Sequence, residues 1–234
     1  MSRWGMPTTR RAERRTDALS TDRIVEEAVA ILDVDGAAGL TFRVLATRLN
    51  TGAGAIYHHV ANKDELLGAA TSVVVEPVVS SVVDEDDAAR AIRTVAVGMF
   101  DAIDAHPWVG GQLPREAGQR SLMRFFESIG SRVVALGALS PREAFDATSA
   151  LVNYVLGVAG QNAENAQTAR TRTHLGDRAT QLAAMADRWA DLDPVEFPFV
   201  RQMAPALRDH DDRDQFLAGI DLILTGIETR RRDG

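Results

Sequence analysis

Within Thr41–Leu67, TFRVLATRLNTGAGAIYHHVANKDELL, side chains that can grip a polyanion alternate with others that can read base edges. Lys63 is the only lysine among the chain's 26 basic residues, and it stands beside Asn62, just after Tyr57-His58-His59. Tyr57 and Lys63 suit phosphate clamping, and Thr41 offers a hydroxyl at a helix N-terminus. Arg43 can reach a guanine edge or a phosphate. Ala53 and Ala55 present methyl groups that suit thymine methyl contacts. Gly52 and Gly54 let the backbone approach closely, and His58 and His59 can donate to bases or phosphates. Phosphate contacts set register and base contacts set sequence preference. Arg43 and the Ala53–His59 face are therefore the expected specificity determinants.

Such a constellation needs a bracing helix, a sharp turn and a second helix whose N-terminal half enters the major groove. Phe42–Leu49 reads as the brace, Asn50-Thr51-Gly52 as the turn and Ala53–His59 as the reading segment. Val44, Leu45, Ala46, Leu49 and Ile56 are the expected apolar knit between them. Ahead of the brace, Ser20 or Thr21 can cap a helix in which Ile24, Ala28, Ile31 and Leu32 recur at helical spacing, ending at Gly36 and Gly39. Behind it, Asn62 caps the next helix, with Glu65 as capping-box partner.

Charge distribution fits this reading better than total charge does. The chain has 234 residues and a net charge of −7. Residues 1–70 hold nine basic and nine acidic side chains, so the acidic excess lies wholly in 71–234. Five arginines stand against Glu13 in residues 1–15. A nucleic-acid face need only be locally positive. Residues 1–19 read as an arm, either a solvated tail or a segment reaching phosphates or a minor groove. Hydrophobic content of 45% supports a globular core, and the absence of cysteine excludes disulfides, zinc–thiolate sites and a thiol nucleophile. The start has no apolar targeting segment, so a cytoplasmic protein is expected. The longest uncharged run, Ala147–Ala163, is shorter than a membrane span of roughly 20 residues and reads as a buried helix.

Beyond residue 68 only helical periodicities appear, which predicts an all-α fold. Helices are expected over 63–83 (disturbed at Pro77), 86–105, 118–137, Pro141 to about Gln167, 179–190 and 212–231. Ser140-Pro141-Arg142-Glu143 is a capped start with proline in first position. Pro107–Pro114 reads as a loop, 168–178 as loose, and Asp193-Pro194 and Pro198 as breaks. The acidic runs at 84–87 and 209–214 read as solvated surface.

Leu40-Thr41, Arg43, Leu45-Ala46, Leu49, Ile56-Tyr57, His59-Val60, Asn62-Lys63 and Leu66-Leu67 together resemble the DNA-binding domain of the tetracycline-repressor (TetR) family of bacterial regulators. Phe216–Thr229 resembles the closing dimerisation helix of the tetracycline-repressor branch. The resemblance implies an all-helical homodimer divided into an arm (1–19), a helix-turn-helix domain (20–67) and an effector-binding and dimerisation domain (68–234). It implies double-stranded operator DNA and a small-molecule effector as partners. Gly54 and Ala55 stand where the family often has Pro, Ser or Thr, a departure that bears on operator sequence rather than binding mode. Expected effector-site residues are Phe100, Trp108, Phe125, Phe126, Asn153, Tyr154, Gln161 and Trp189, an apolar set with a few polar anchors that could equally be plain core. Leu151, Val155 and Val158, with Phe216, Ile220, Ile223, Leu224 and Ile227, are the expected pairing surface. His106 alone, without carboxylate partners, makes a poor metal site, so tetracycline is not the expected ligand; no metal and no cofactor are expected.

G-x-S-x-G, G-x-G-x-x-G and a P-loop are all absent, and His58-His59 are adjacent rather than spaced as zinc ligands. A regulator, most simply a repressor released by its effector, is the first reading. A helical small-molecule-binding protein or a ligand-dependent activator is the alternative.

Overall fold

A computed structural model describes residues 19–137, 139–171 and 178–233. The arginine-rich arm, except Leu19, and residues 172–177 of the segment expected to be loose lie outside the described residues. Among the described residues every regular element is helical.

The first helix, α1 (Thr21–Gly39), starts where Ser20 Oγ accepts from the Arg23 amide at 3.2 Å. Ile24, Ala28, Ile31 and Leu32 are buried along one stripe. Gly36 interrupts the helix with φ 65°, a left-handed conformation that only glycine adopts without strain. Thr41 caps α2 (Phe42–Arg48), its Oγ1 accepting from the Val44 amide at 3.2 Å. After the turn comes α3 (Ala53–Tyr57), a little over one turn long. Leu40, Leu45, Ala46, Leu49, Ile56 and Val60 are buried in the domain core. Val44 departs from its expected place in the apolar knit, being 38% exposed. Asn62 Oδ1 caps α4 (Lys63–Ser80) by accepting from the Glu65 amide at 2.8 Å, and Glu65 Oε2 accepts in return from the Ala61 amide at 2.7 Å.

The expected boundary between 67 and 68 falls inside α4, which runs from the first domain into the second without a break despite Pro77. The rest comprises α5 (Ala88–Ala105), α6 (Trp108–Gln112), a 3-10 turn (Glu116–Gly118), α7 (Gln119–Ala135), α8 (Pro141–Thr171), α9 (Arg178–Ala190), α10 (Pro198–Arg208) and α11 (Asp212–Asp233). Helix α5 is central and packs on α4, α7, α8 and α11. Its stripe of Ile92, Val95, Ala96, Met99 and Ile103 is fully buried. At the start of α8, Ser140 Oγ donates to Glu143 Oε2 at 2.7 Å, and the Ser140 amide donates to the same oxygen at 2.9 Å.

Three expectations need correction. Pro107–Pro114 is not a loop, because Trp108–Gln112 is helical. Pro198 opens a helix rather than breaking the chain: proline lacks only an amide that the first turn leaves unpaired. The proposed pairing residues mostly face inward. Leu151, Val155, Phe216, Ile220 and Leu224 are buried inside the single subunit, where α8, α5 and α11 meet. The outward faces of α8 and α11 instead carry Phe145, Ala150, Asn153 and Gly157, and Leu222 and Gly226.

The 3-10 turn is clamped between backbones. A Cβ on Gly118 would lie 2.3 Å from the Gln112 carbonyl oxygen, and one on Gly68 of α4 would lie 2.7 Å from that of Ala117. Gly118→Ala should destabilise the protein by about 1–3 kcal/mol, as overpacking against rigid groups does. Gly111→Ala, with nothing within 4 Å, should leave the melting temperature unchanged or slightly raised. Equal melting of the two variants would show the turn to be loosely held.

Candidate nucleic-acid interface and effector cavity

The turn before α3 closes through the Thr51 amide, which donates to the Ala46 carbonyl at 2.9 Å, with Asn50 at φ 50°. Ile56 anchors α3 from beneath, being fully buried, while Gly52, Ala53, Gly54, Tyr57, His58 and His59 are exposed and Ala55 half-buried. A Cβ placed on Gly52 or Gly54 meets nothing within 4 Å, so the face stands open. Tyr57 stacks on Phe42 with ring centroids 4.5 Å apart and planes 13° from parallel, yet remains 55% exposed. That stack fixes the phenol against the bracing helix and leaves its rim available for a phosphate. Arg43 is exposed at the start of α2 and pairs with no described side chain. Arg48, by contrast, is tied to Glu27 of α1.

Two expected contacts carry additional duties. Lys63 Nζ donates to the Ala37 carbonyl at 2.6 Å, bracing the end of α1 against the start of α4. An ammonium has three donors, so this bond leaves two for a phosphate. His59 Nδ1 lies 3.5 Å from Thr21 Oγ1, so it also leans on α1.

In the larger domain α8, α9, α10 and α11 surround a cavity of about 400 Å³. Gln161, Asn162, Asn165, Gln181 and Gln215 supply carboxamides, while Val158, Leu182, Met185 and Leu207 supply apolar wall. Arg178 makes a two-pronged pair with Asp212, at 2.8 and 2.7 Å, and His210 Nε2 lies 3.1 Å from Asp212 Oδ1. Arg178 and Asp212 compensate each other's charge, so the wall favours a ligand bound through hydrogen bonds and apolar contact. Beside it, the Tyr154 hydroxyl donates to the Gln215 and Phe216 carbonyls at 3.3 and 3.2 Å. Burial raises its phenol pKa above the ordinary value.

Of the eight expected effector residues, only Gln161 lines this cavity. Phe100 and Tyr154 stack on Phe216 nearby, in the core. Phe125 is fully buried in the core, and Phe126 tilts against Phe145 at 6.0 Å. Asn153 is exposed on α8, and Trp189 lies on α9 without lining the cavity. Trp108 sits at the junction of the two domains, where its Nε1 donates to Asp33 Oδ1 at 2.7 Å. The other polar residues of this cavity, Asn162, Asn165, Arg178, Gln181, His210, Asp212 and Gln215, were not among those expected from the sequence. The 209–214 run was a usable signal, since His210 and Arg213 interrupt its acids. The 84–87 run lies at the surface as expected, and within it Asp87 caps α5 and Glu85 pairs with Arg90 at 2.7 Å. Hydrogen bonds from Arg90 and the Asp87 amide hold the Glu85 pKa below the ordinary value. Among the described residues no group of three or more His, Asp or Glu could hold a metal. No helix there is long and apolar enough to cross a membrane.

Residues 24–70 match the model for bacterial regulatory proteins of the tetR family, and residues 83–231 match the tetracyclin repressor-like C-terminal domain. Among curated proteins, the chain is 29% identical over 212 residues to the HTH-type transcriptional repressor DrrR1 of Streptomyces coeruleorubidus, covering 90% of this chain and 77% of that one. Among solved structures it resembles the transcriptional regulator SCO7222, a TetR from Streptomyces coelicolor, with 47% identity, TM-score 0.80, and coverage of 91% of this chain and 99% of the other. It also resembles the Streptomyces coelicolor TetR family protein ActR in complex with actinorhodin, at 25% identity and TM-score 0.67, covering 92% and 99%.

Proposed function

The chain belongs to the TetR family of transcriptional regulators, and from that premise we propose that it is a repressor that binds a palindromic duplex operator as a homodimer and is released by a small-molecule effector. The observation that carries this reading is the open face of α3, flanked by Arg43, which pairs with no described side chain, and by Tyr57 stacked on Phe42. The effector binds in the cavity among α8–α11. Splaying the two reading heads requires the effector to favour the released state by only about 1–3 kcal/mol. The family is one of regulators rather than enzymes; here the effector leaves unchanged, no cofactor is needed, and the protein works in the cytoplasm.

Fluorescence anisotropy with duplex from upstream of the protein's own gene, over a range of salt concentrations, tests the proposal. Log affinity should fall linearly with log salt, each neutralised phosphate contributing a slope of about −0.9. Lys63→Ala should weaken binding to all duplexes alike and reduce that slope by about 1. It should also lower the melting temperature, because the bond to Ala37 is lost. Arg43→Ala and His58→Ala should cost about 1–3 kcal/mol each on the preferred duplex and narrow its advantage over unrelated DNA. Unchanged specificity in all three variants would contradict the assignment of base reading to Arg43 and α3. A salt-independent interaction would sink the proposal itself.

A further inference from the structure

A relay of hydrogen bonds, joined through the backbone at 104–106 and 33–37, runs from the cavity to Lys63 at the start of α4, and we infer that it is the route by which a filled cavity is felt at the DNA-binding head, with Asp33 as its positioning residue. This rests on the cavity being the effector site. Asn162, on the cavity wall, donates from Nδ2 to Asp104 Oδ1 at 3.0 Å. Asp104 lies in the last turn of α5, two residues before His106. His106 Nδ1 and Trp108 Nε1 both meet a single oxygen of α1, Asp33 Oδ1, each at 2.7 Å. Beyond the Gly36 break, the Ala37 carbonyl receives Lys63 Nζ at 2.6 Å. Lys63 is the first residue of α4, next in line after the reading segment.

Each link joins two different elements, so the segment around 104–108 cannot turn without pulling α1. Hydrogen bonds to a charged acceptor are roughly twice as strong as neutral ones, and Asp33 receives its two from one short stretch of chain. A rotation of that stretch therefore reaches α1 as a single displacement. The Asp33 and Lys63 contacts lie on either side of Gly36, so the broken end of α1 is held from both domains. A ligand acceptor that takes the Asn162 amide hydrogens competes with Asp104. That frees the end of α5, and the fork on Asp33 transmits the shift to the head.

The chain has no cysteine, so Glu26→Cys on α1 and Glu127→Cys on α7, both exposed, provide a clean spin-label pair. Labelled full-length protein diluted into unlabelled protein reports the head-to-body distance within one chain. Asn162→Asp sets a like charge against Asp104, and Asp33→Asn weakens the fork with nearly unchanged shape. Each should shift or broaden the distance distribution and change affinity for the upstream duplex by roughly 2- to 30-fold. The double variant should do no more than the stronger single one, since both break one line. Trp108→Phe, which removes the indole donor together with part of the ring, should reproduce the Asp33→Asn shift. Asn165→Asp, on the same wall but without a bond to Asp104, should leave the distance unchanged.

The route is overturned by an unmoved distance in Asn162→Asp, by independent multiplication of the two effects, by a silent Trp108→Phe, or by an equal response in Asn165→Asp. A wild-type protein that ignores the upstream duplex would instead overturn the operator reading, while the distance measurement still decides the route.

Discussion

Gly54→Glu should abolish operator binding, by 100-fold or more, while leaving the protein folded. Nothing lies within 4 Å of where a Cβ on Gly54 would stand, so the new side chain has room. Replacing glycine inside a helix should also favour α3 by about 1 kcal/mol or less. The carboxylate, however, would project from the exposed face of α3 toward phosphates. Like-charge juxtaposition at an interface costs several kcal/mol, and a symmetric dimer meets it in both half-sites. The pair of measurements is anisotropy on the upstream duplex and a thermal melt. Lost binding with an unchanged or slightly higher melting temperature is the expected result. Retained binding would mean that α3 does not face the duplex. Gly54→Ala adds bulk without charge and should retain part of the affinity.

Phe216→Ala should be the most destabilising of the changes proposed for the larger domain. Phe216 is fully buried, with Phe100 stacked at 4.6 Å between ring centroids and Tyr154 at 5.8 Å. Truncating a buried phenylalanine costs about 3–5 kcal/mol through lost transfer energy and the cavity left behind. At about 2–4 °C per kcal/mol for a chain of this size, the melting temperature should fall by roughly 6–20 °C. The loss also loosens Tyr154, whose hydroxyl holds the Gln215 and Phe216 carbonyls, and Gln215 lines the cavity. Effector affinity should therefore fall together with stability. Phe216→Leu, which keeps much of the volume, should lose less of both. A drop below about 1 kcal/mol in Phe216→Ala would show that the stack does not organise this core.

The helix starts at Thr41, Asn62 and Ser140 were legible because a cap is a bargain among residues three or four apart. The stripe Ile24–Leu32 was legible for a related reason: a helix that buries one face must repeat its apolar residues at its own period. Pro198 misled because proline stops a helix in its interior and starts one at its first turn, and the residue alone does not say which. Trp108 could not be placed from sequence, because an indole suits a pocket as well as a joint; in the fold it serves both, lining a second cavity of about 380 Å³ at the domain junction. Its partner Asp33 lies in a different domain, 75 residues away.

All-helical character, the three helices of the head and the turn between the second and third could be read from local spacing, because each depends on interactions that close within about one helical turn. The cavity among α8–α11 and the outward faces of α8 and α11 could not. Val155 and Phe216 would satisfy their apolar character equally against a partner subunit or against their own core, and only the packing of α5 between those helices settles it inward. The cavity draws Asn162, Arg178 and Gln215 from three helices and His210 from the link between α10 and α11. Polar side chains that meet only after the helices have docked leave no periodic trace in the order of the residues.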